Sequence, residues 1–235
     1  MSQRGIELAR RLEGVPEVAS PQVMGVLNVT PDSFSDGGRF LALEAALAQG
    51  SALLAAGAAV LDVGGESTRP GAAPVAASEE EARVVPVISA LRAAHPEALI
   101  SIDTRRASVA EAALRAGADL VNDVSGLEDP RLVAVCAANA APLVLGHLQG
   151  QPETMQRDPS YEDVVAEVWA TLERGVAQAR AAGVPAILVD PGIGFGKTSE
   201  HNLALLANVP RLRALGPVVI GVSRKSLLGA LTGRP

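Results

Sequence analysis

One cysteine, Cys136, leaves nothing for a thiol to pair with, so an intrachain disulfide framework is excluded and a reducing cytoplasm is the expected home. Aromatic residues number five (Phe 3, Trp 1, Tyr 1), and 20 basic side chains face 26 acidic ones for a net charge of -6. A nucleic-acid groove needs basic tracks and stacking platforms, so that class of partner is excluded too. No apolar run reaches the roughly 18 uninterrupted residues of a membrane span. The best stretch, residues 132–145, is broken by Asn139 and Pro142. The N-terminus carries Arg4, Glu7, Arg10, Arg11 and Glu13 before any long apolar segment, without the h-region of a signal peptide. Lysine is the scarcest cation: only Lys197 and Lys225 interrupt a chain that otherwise writes positive charge as arginine. Both stand beside glycine or at the end of an apolar run, and any anionic ligand must be held by such local groups.

What is present is a core. Hydrophobic residues make up 48% of the 235 positions, enough for one large α/β domain or two small ones, and a single domain over residues 1–235 is expected. Short apolar runs at 22–27, 60–63, 99–102, 120–121, 143–145, 187–189 and 218–222 read as strands. Helical patterns fill 41–56, 78–94, 108–116, 130–139, 161–182 and 200–207, with Ser78 and Glu81 spaced as a capping box and Gly57, Gly117 and Gly183 placed to end helices. Strands separated by helices imply a parallel sheet, either doubly wound or closed as a barrel. Nearly every strand ends in residues able to do chemistry: Asn28, Asp62, Asp103, Asn122 with Asp123, His147, Asp190, and Ser223 with Lys225. A doubly wound sheet concentrates its site at one switch point, whereas a barrel gathers all strand ends at one mouth, so the expectation is a TIM-type (β/α)8 barrel. Its eighth strand is expected beyond Pro235, in a segment truncated from this chain.

The glycine-rich segment 191–198 fails the phosphate-loop pattern, because Pro191 stands where glycine is required. It reads instead as a strand-to-helix turn following Asp190. His95, His147 and His201 share no ligand spacing, so no zinc cage is expected; a Mg²⁺ ion arriving with a diphosphate needs few protein ligands and stays open. The polar loop 28–39 offers Asn28, Asp32 and Asp36. The segment 66–71 sets Ser67, Thr68 and Arg69 together, which suits phosphate or carboxylate oxygens or an ordinary solvated turn. Asp103, Asn122 and Asp190 suit a heterocycle with an N–H and amino edge; helix capping is the alternative for Asp103.

Together the segments 25–38, 62–71, 101–104, 122–126, 190–197 and 223–226 resemble, in order, those of the dihydropteroate synthases, folate-pathway enzymes of the pterin-binding β/α barrel family. The resemblance implies condensation of 4-aminobenzoate with (7,8-dihydropterin-6-yl)methyl diphosphate to give 7,8-dihydropteroate. It places the pterin on Asp103, Asn122, Asp190 and Lys225, with Phe195 beside it, and assigns Asn28 to the diphosphate and its Mg²⁺. Thr68 falls to a diphosphate oxygen and Ser226 with Arg69 to the aminobenzoate end, with Ser67 a further substrate-binding residue. Asp103, Asp190, Lys225 and, on closure of the first loop, Asp36 are the implied catalytic set. A homodimer without membrane or nucleic-acid partners is also implied. Where the family commonly has His-Met and a basic residue, this chain has His147-Leu148-Gln149, and the family's late Arg-x-His motif is expected beyond Pro235. A pterin-binding methyltransferase barrel and a catalytically silent pterin-binding paralogue are the rival readings.

Overall fold

The computed structural model describes residues 3–13, 21–30, 38–68, 71–223, 225, 227–229 and 233. Parallel strands β1 Met24–Asn28, β2 Val60–Gly64, β3 Leu99–Asp103, β4 Leu120–Asp123, β5 Leu143–Leu145 and β6 Ile187–Val189 stand side by side in chain order. An N-terminal helix, α1 Gln3–Glu13, precedes them. The crossovers carry α2 Gly38–Ala55, α3 Ala77–Ala94, α4 Ala107–Ala116, α5 Arg131–Ala138 and α6 Val164–Ala181, while α7 Ser199–Ala207 and α8 Val209–Leu212 follow β6. A doubly wound sheet reverses its strand order; an unbroken order with right-handed crossovers puts every helix on one face and curls the other inward. The sheet is the wall of a TIM-type barrel.

Strand alternation sorts the side chains. Leu27, Leu61, Ile100, Ile102, Val121 and Leu145 face the helices and join the larger core. Val60, Leu99, Leu120, Val144 and Leu188 face the barrel axis and form a second apolar cluster. Two residues further along, the inward positions become Asp62 opposite Ser101, and then Gly64 opposite Asp103. The interior thus turns from apolar floor to polar mouth within about 7 Å of strand.

Helix α1 was not among the helices read from the sequence. Its Leu8, only 5% exposed, packs into the floor cluster under the N-terminal ends of the strands. Gly5 brings the helix backbone against Asp119 and Pro142: a Cβ there would come within 3.0 Å of the Asp119 carbonyl. The expected seventh strand is reduced to one bridge, Val218 to Val189, with Val219 N–H donating to the Val189 carbonyl at 2.8 Å. Pro217 brings no N–H and β6 is itself short, so the pairing has little to extend along. The Ser78 capping box is absent: α3 begins at Ala77 with Ala76 as its cap, which places Ser78 already inside the first turn. Gly57, Gly117 and Gly183 do take the left-handed conformation that ends a helix.

If α1 is the floor of the barrel, Leu8→Ala should cost about 2–4 kcal/mol, the usual loss for a buried leucine. Urea unfolding measures it, and a loss below about 1 kcal/mol would detach α1 from the core.

Candidate active site

Register places four mouth residues in one row. Asn28 pairs with Gly64, Gly64 with Asp103, and Asp103 with Asn122, so β1 to β4 each contribute one position at the same height. Gly64 is the empty place in that row: a Cβ there would lie 3.3 Å from Asp103 Oδ2. From that row buried Asn122 donates its Nδ2 to Asp62 Oδ2, one inward position below, at 2.9 Å. The Ser101 hydroxyl lies near enough to ease the Asp62 charge but outside hydrogen-bond geometry, so Asp62 Oδ1 and Ser101 Oγ are buried without a hydrogen-bond partner. Asp190 follows β6 and accepts from Gly192 N–H at 2.7 Å.

These carboxylates are crowded. Burial, then the charges of Asp62 and Glu80, push the Asp103 carboxyl well above the usual carboxylate range. Burial likewise raises Asp62, against the bond from Asn122. Burial raises Asp190 as well, opposed by the Gly192 N–H, Lys225 and Lys197. Such groups gain from a ligand that brings N–H donors into the cleft.

The loop after β2 is fastened by Glu66, whose Oε1 accepts Val75 N–H at 2.8 Å and Arg106 Nη2 at 3.0 Å. Its Oε2 accepts Arg105 Nε at 3.2 Å, while Arg106 also pairs with Glu80 and donates to the Val75 carbonyl at 2.7 Å. Burial alone would raise Glu66, but Arg106, the Val75 N–H and Arg105 together hold it below its ordinary value. On this staked loop sit half-buried Ser67 and Thr68, and Thr68 lines a narrow cleft with Asp103, Thr104 and Leu148. No single motif marks this network in the sequence; its signal is the pair Arg105-Arg106, one residue beyond the end of β3, in an acidic chain.

Between β6 and α7 the backbone runs through Gly192, Gly194 and Gly196, all at positive φ (69°, 80° and 61°). A Cβ on Gly192 would overlap the His147 carbonyl, so only glycine lets this turn touch the end of β5. Its carbonyls are held one by one: Ile193 by Lys225 Nζ, Gly194 by Gln156 at 2.6 Å, Phe195 by Lys197 at 2.9 Å and Gly196 by the Tyr161 hydroxyl at 3.0 Å. Lys225 lies over the Phe195 ring, 4.4 Å from its centroid. Burial lowers the Lys225 pKa against the pull of Asp190, and burial takes Lys197 down to about 7.

Asp36, Arg69 and Ser226 lie outside the described residues. Asp103 is not a helix cap, since Asp129 takes the Ala107 N–H at the start of α4. Asp123 faces away from the axis and accepts from Ser125 and Leu127 N–H, closing the turn after β4. Cys136 is buried and its thiol pushed up to about 12, which leaves it inert. Among the described residues no group of three or more His, Cys, Asp or Glu is arranged to hold a metal.

A family model described as pterin binding enzyme matches residues 24–235. The dihydropteroate synthase of Synechocystis sp. is 48% identical over 217 residues, covering 91% of this chain and 75% of that protein. The structure of Xanthomonas albilineans dihydropteroate synthase with 4-aminobenzoic acid aligns with a TM-score of 0.84 at 47% identity, over 92% of this chain and 77% of that one. The enzyme of that organism in complex with 7,8-dihydropteroate aligns at 0.80 and 43% identity, over 94% and 79% of the two chains.

The crowding of charge makes a stability prediction. The ordinary Asp carboxyl titrates near 3.8, and in the folded protein Asp103 holds its proton to higher pH. Between those values the folded state binds the extra proton, so stability falls as pH rises through the window. Asp103→Asn never carries the charge and should melt a few degrees higher at neutral pH, at about 2–4 °C per kcal/mol for a chain of this size. The gain should vanish in acid, where both side chains are neutral. Calorimetry at the two pH values checks it; an unchanged or lower Tm at neutral pH would show that the carboxylates do not repel.

Proposed function

The chain belongs to the pterin-binding enzyme family, and from that premise we infer that it performs the reaction of the dihydropteroate synthases. It is a transferase that joins 4-aminobenzoate to (7,8-dihydropterin-6-yl)methyl diphosphate, giving 7,8-dihydropteroate and diphosphate. The observation that carries this reading is the inward row of Asp103 and Asn122, facing a mouth that Asp190 and Lys225 border. It offers two desolvated carboxylates to one edge of a planar heterocycle and an ammonium to the other.

In this reading Asp103 and Asp190 accept paired hydrogen bonds from the pterin's N–H and amino groups, and Asn122, fixed by Asp62, holds the ring beside them. Lys225 turns from the Ile193 carbonyl to an acceptor on the pterin, with Phe195 packing at its flank. Ser67 and Thr68, on the loop that Glu66 and Arg106 stake down, donate to the diphosphate. Asn28 would supply one amide oxygen to the Mg²⁺ that comes with it, an ion that keeps its waters and needs few protein ligands. The resemblance assigns the aminobenzoate carboxylate to Ser226 and Arg69 and a catalytic role to Asp36, all three outside the described residues. As the bond between the methylene carbon and diphosphate oxygen breaks, its electron pair leaves with diphosphate. The amine lone pair then forms the new C–N bond and the nitrogen loses one proton. Positive charge gathers on the pterin during this exchange, and the fixed carboxylates of Asp103 and Asp190 stabilise it where water is scarce. A cytoplasmic homodimer belongs to the same proposal, supported by the single inert thiol and by exposed Leu203 on α7 and Leu228.

The test is diphosphate release from both substrates with Mg²⁺ present, with dihydropteroate identified as product. Release without dihydropteroate, or none at all, would overturn the reading. Asp190→Asn puts an amide donor against the pterin's N–H edge and loses bonds worth about 1.5–3 kcal/mol each. Pterin affinity should fall roughly a hundredfold, read by calorimetry with a pterin analogue. Unchanged affinity in the folded variant would remove Asp190 from the pocket.

A further inference from the structure

Lys197 takes no part in the reaction as described, yet it is one of two lysines in the chain and only 3% exposed. Its Nζ lies 3.0 Å from His147 Nδ1, 3.4 Å from the His147 carbonyl and 2.9 Å from the Phe195 carbonyl. An ammonium has three N–H donors and no acceptor, so the three partners exhaust it. The His147 ring must then accept at Nδ1 and carry its hydrogen on Nε2, a neutral form that burial and the Lys197 charge enforce by lowering its pKa to about 3.

Two of these acceptors belong to the segment after β5 and one to the turn after β6. Lys197 thus joins the two loops from the β6 side, alongside Gln156 and Tyr161, which reach the same turn from the β5 side. The joint adjoins Asp190: the Gly192 N–H fixes Asp190 Oδ1, and a Cβ on Gly192 would overlap the His147 carbonyl and lie 3.2 Å from Lys197 Nζ. The Phe195 N–H in turn donates to the Gly192 carbonyl at 3.0 Å, which closes the turn on itself.

We propose that Lys197 is a positioning residue for pterin binding: seated on His147 and Phe195, it locks the turn after β6 to the end of β5 and so fixes the direction in which Asp190 presents its carboxylate. The proposal rests on the pterin reading of the mouth. It assigns to Lys197 and His147 a function that depends on their bond, and it explains why a lysine stands at a position hidden from solvent. A planar guanidinium does not fit three acceptors that converge on one point.

Steady-state kinetics with each substrate varied in turn separates this from a merely structural role. Lys197→Met should raise the KM for the pterin diphosphate about tenfold or more, with the KM for 4-aminobenzoate within about twofold. His147→Leu should do the same. His147→Asn, which keeps an acceptor where Nδ1 stands, should restore near-normal pterin KM, and the Lys197→Met/His147→Leu pair should be no worse than either alone. An unchanged pterin KM, an equal rise in both KM values or an additive double variant would overturn the proposal. Should Lys197→Met fail to fold, the contrast between His147→Leu and His147→Asn decides alone: equal defects overturn it. Calorimetry with a pterin analogue reads the same clamp without turnover. Loss of activity in the unsubstituted protein would therefore fail the reaction, whereas normal pterin affinity in Lys197→Met would fail this inference.

Discussion

A site for a polar heterocycle must exclude water and yet be lined with charge, and the mouth of this barrel meets both demands by crowding carboxylates. Asp62, Asp103 and Asp190 all look into one interior, and the largest influences on Asp103 act in one direction. The surrounding polar architecture follows from that. Asn122 is a neutral partner for Asp62, so it adds a hydrogen bond without another charge. Glu66 and Glu80 share Arg106, which keeps two more acids from adding fully to the repulsion while it ties down the loop that bears Thr68. Cations are placed beside Asp190, where Lys197 and Lys225 oppose the effect of burial, and Asp103 is left with its energetic demand for donors.

The choice of cation is set by shape. Arginine serves where the partners are carboxylates spread in a plane, as at Glu66, where Arg106 reaches both oxygens. Lysine serves where the carbonyls lie within the narrow turn after β6. Lys197 and Lys225 each reach into the turn after β6 and take one of its carbonyls, because a point charge on a slim stem enters where a guanidinium is too broad. Geometry thus explains why lysine rather than arginine stands at these two places.

Local signals carried most of the wall. β2, β3, β5 and β6 begin and end within a residue or so of the apolar runs, because strand period and flanking glycines are properties of neighbouring residues. The candidate row was legible for the same reason, since polar residues at the ends of apolar runs need only counting. What could not be read was non-local. Leu8 means nothing until the floor it plugs exists, and Glu66 meets Arg106 across 40 residues of chain. Asp123 is instructive, because the reading grouped it with Asn122 by adjacency. Alternation along a strand sends neighbours to opposite faces, so Asn122 looks into the barrel and Asp123 toward the helices, where it closes a turn.

Strand β2 shows in five residues how floor and site are built from one element. Its inward positions read Val60, Asp62 and Gly64. The first joins the apolar floor, and the second anchors Asn122 from below. The third contributes no side chain, and that absence gives the Asp103 carboxylate its room. A side chain at Gly64 would press on that carboxylate, since a bare Cβ would already lie 3.3 Å from Asp103 Oδ2. The apolar burial comes from the floor below, which leaves the top of the strand free to hold a ligand.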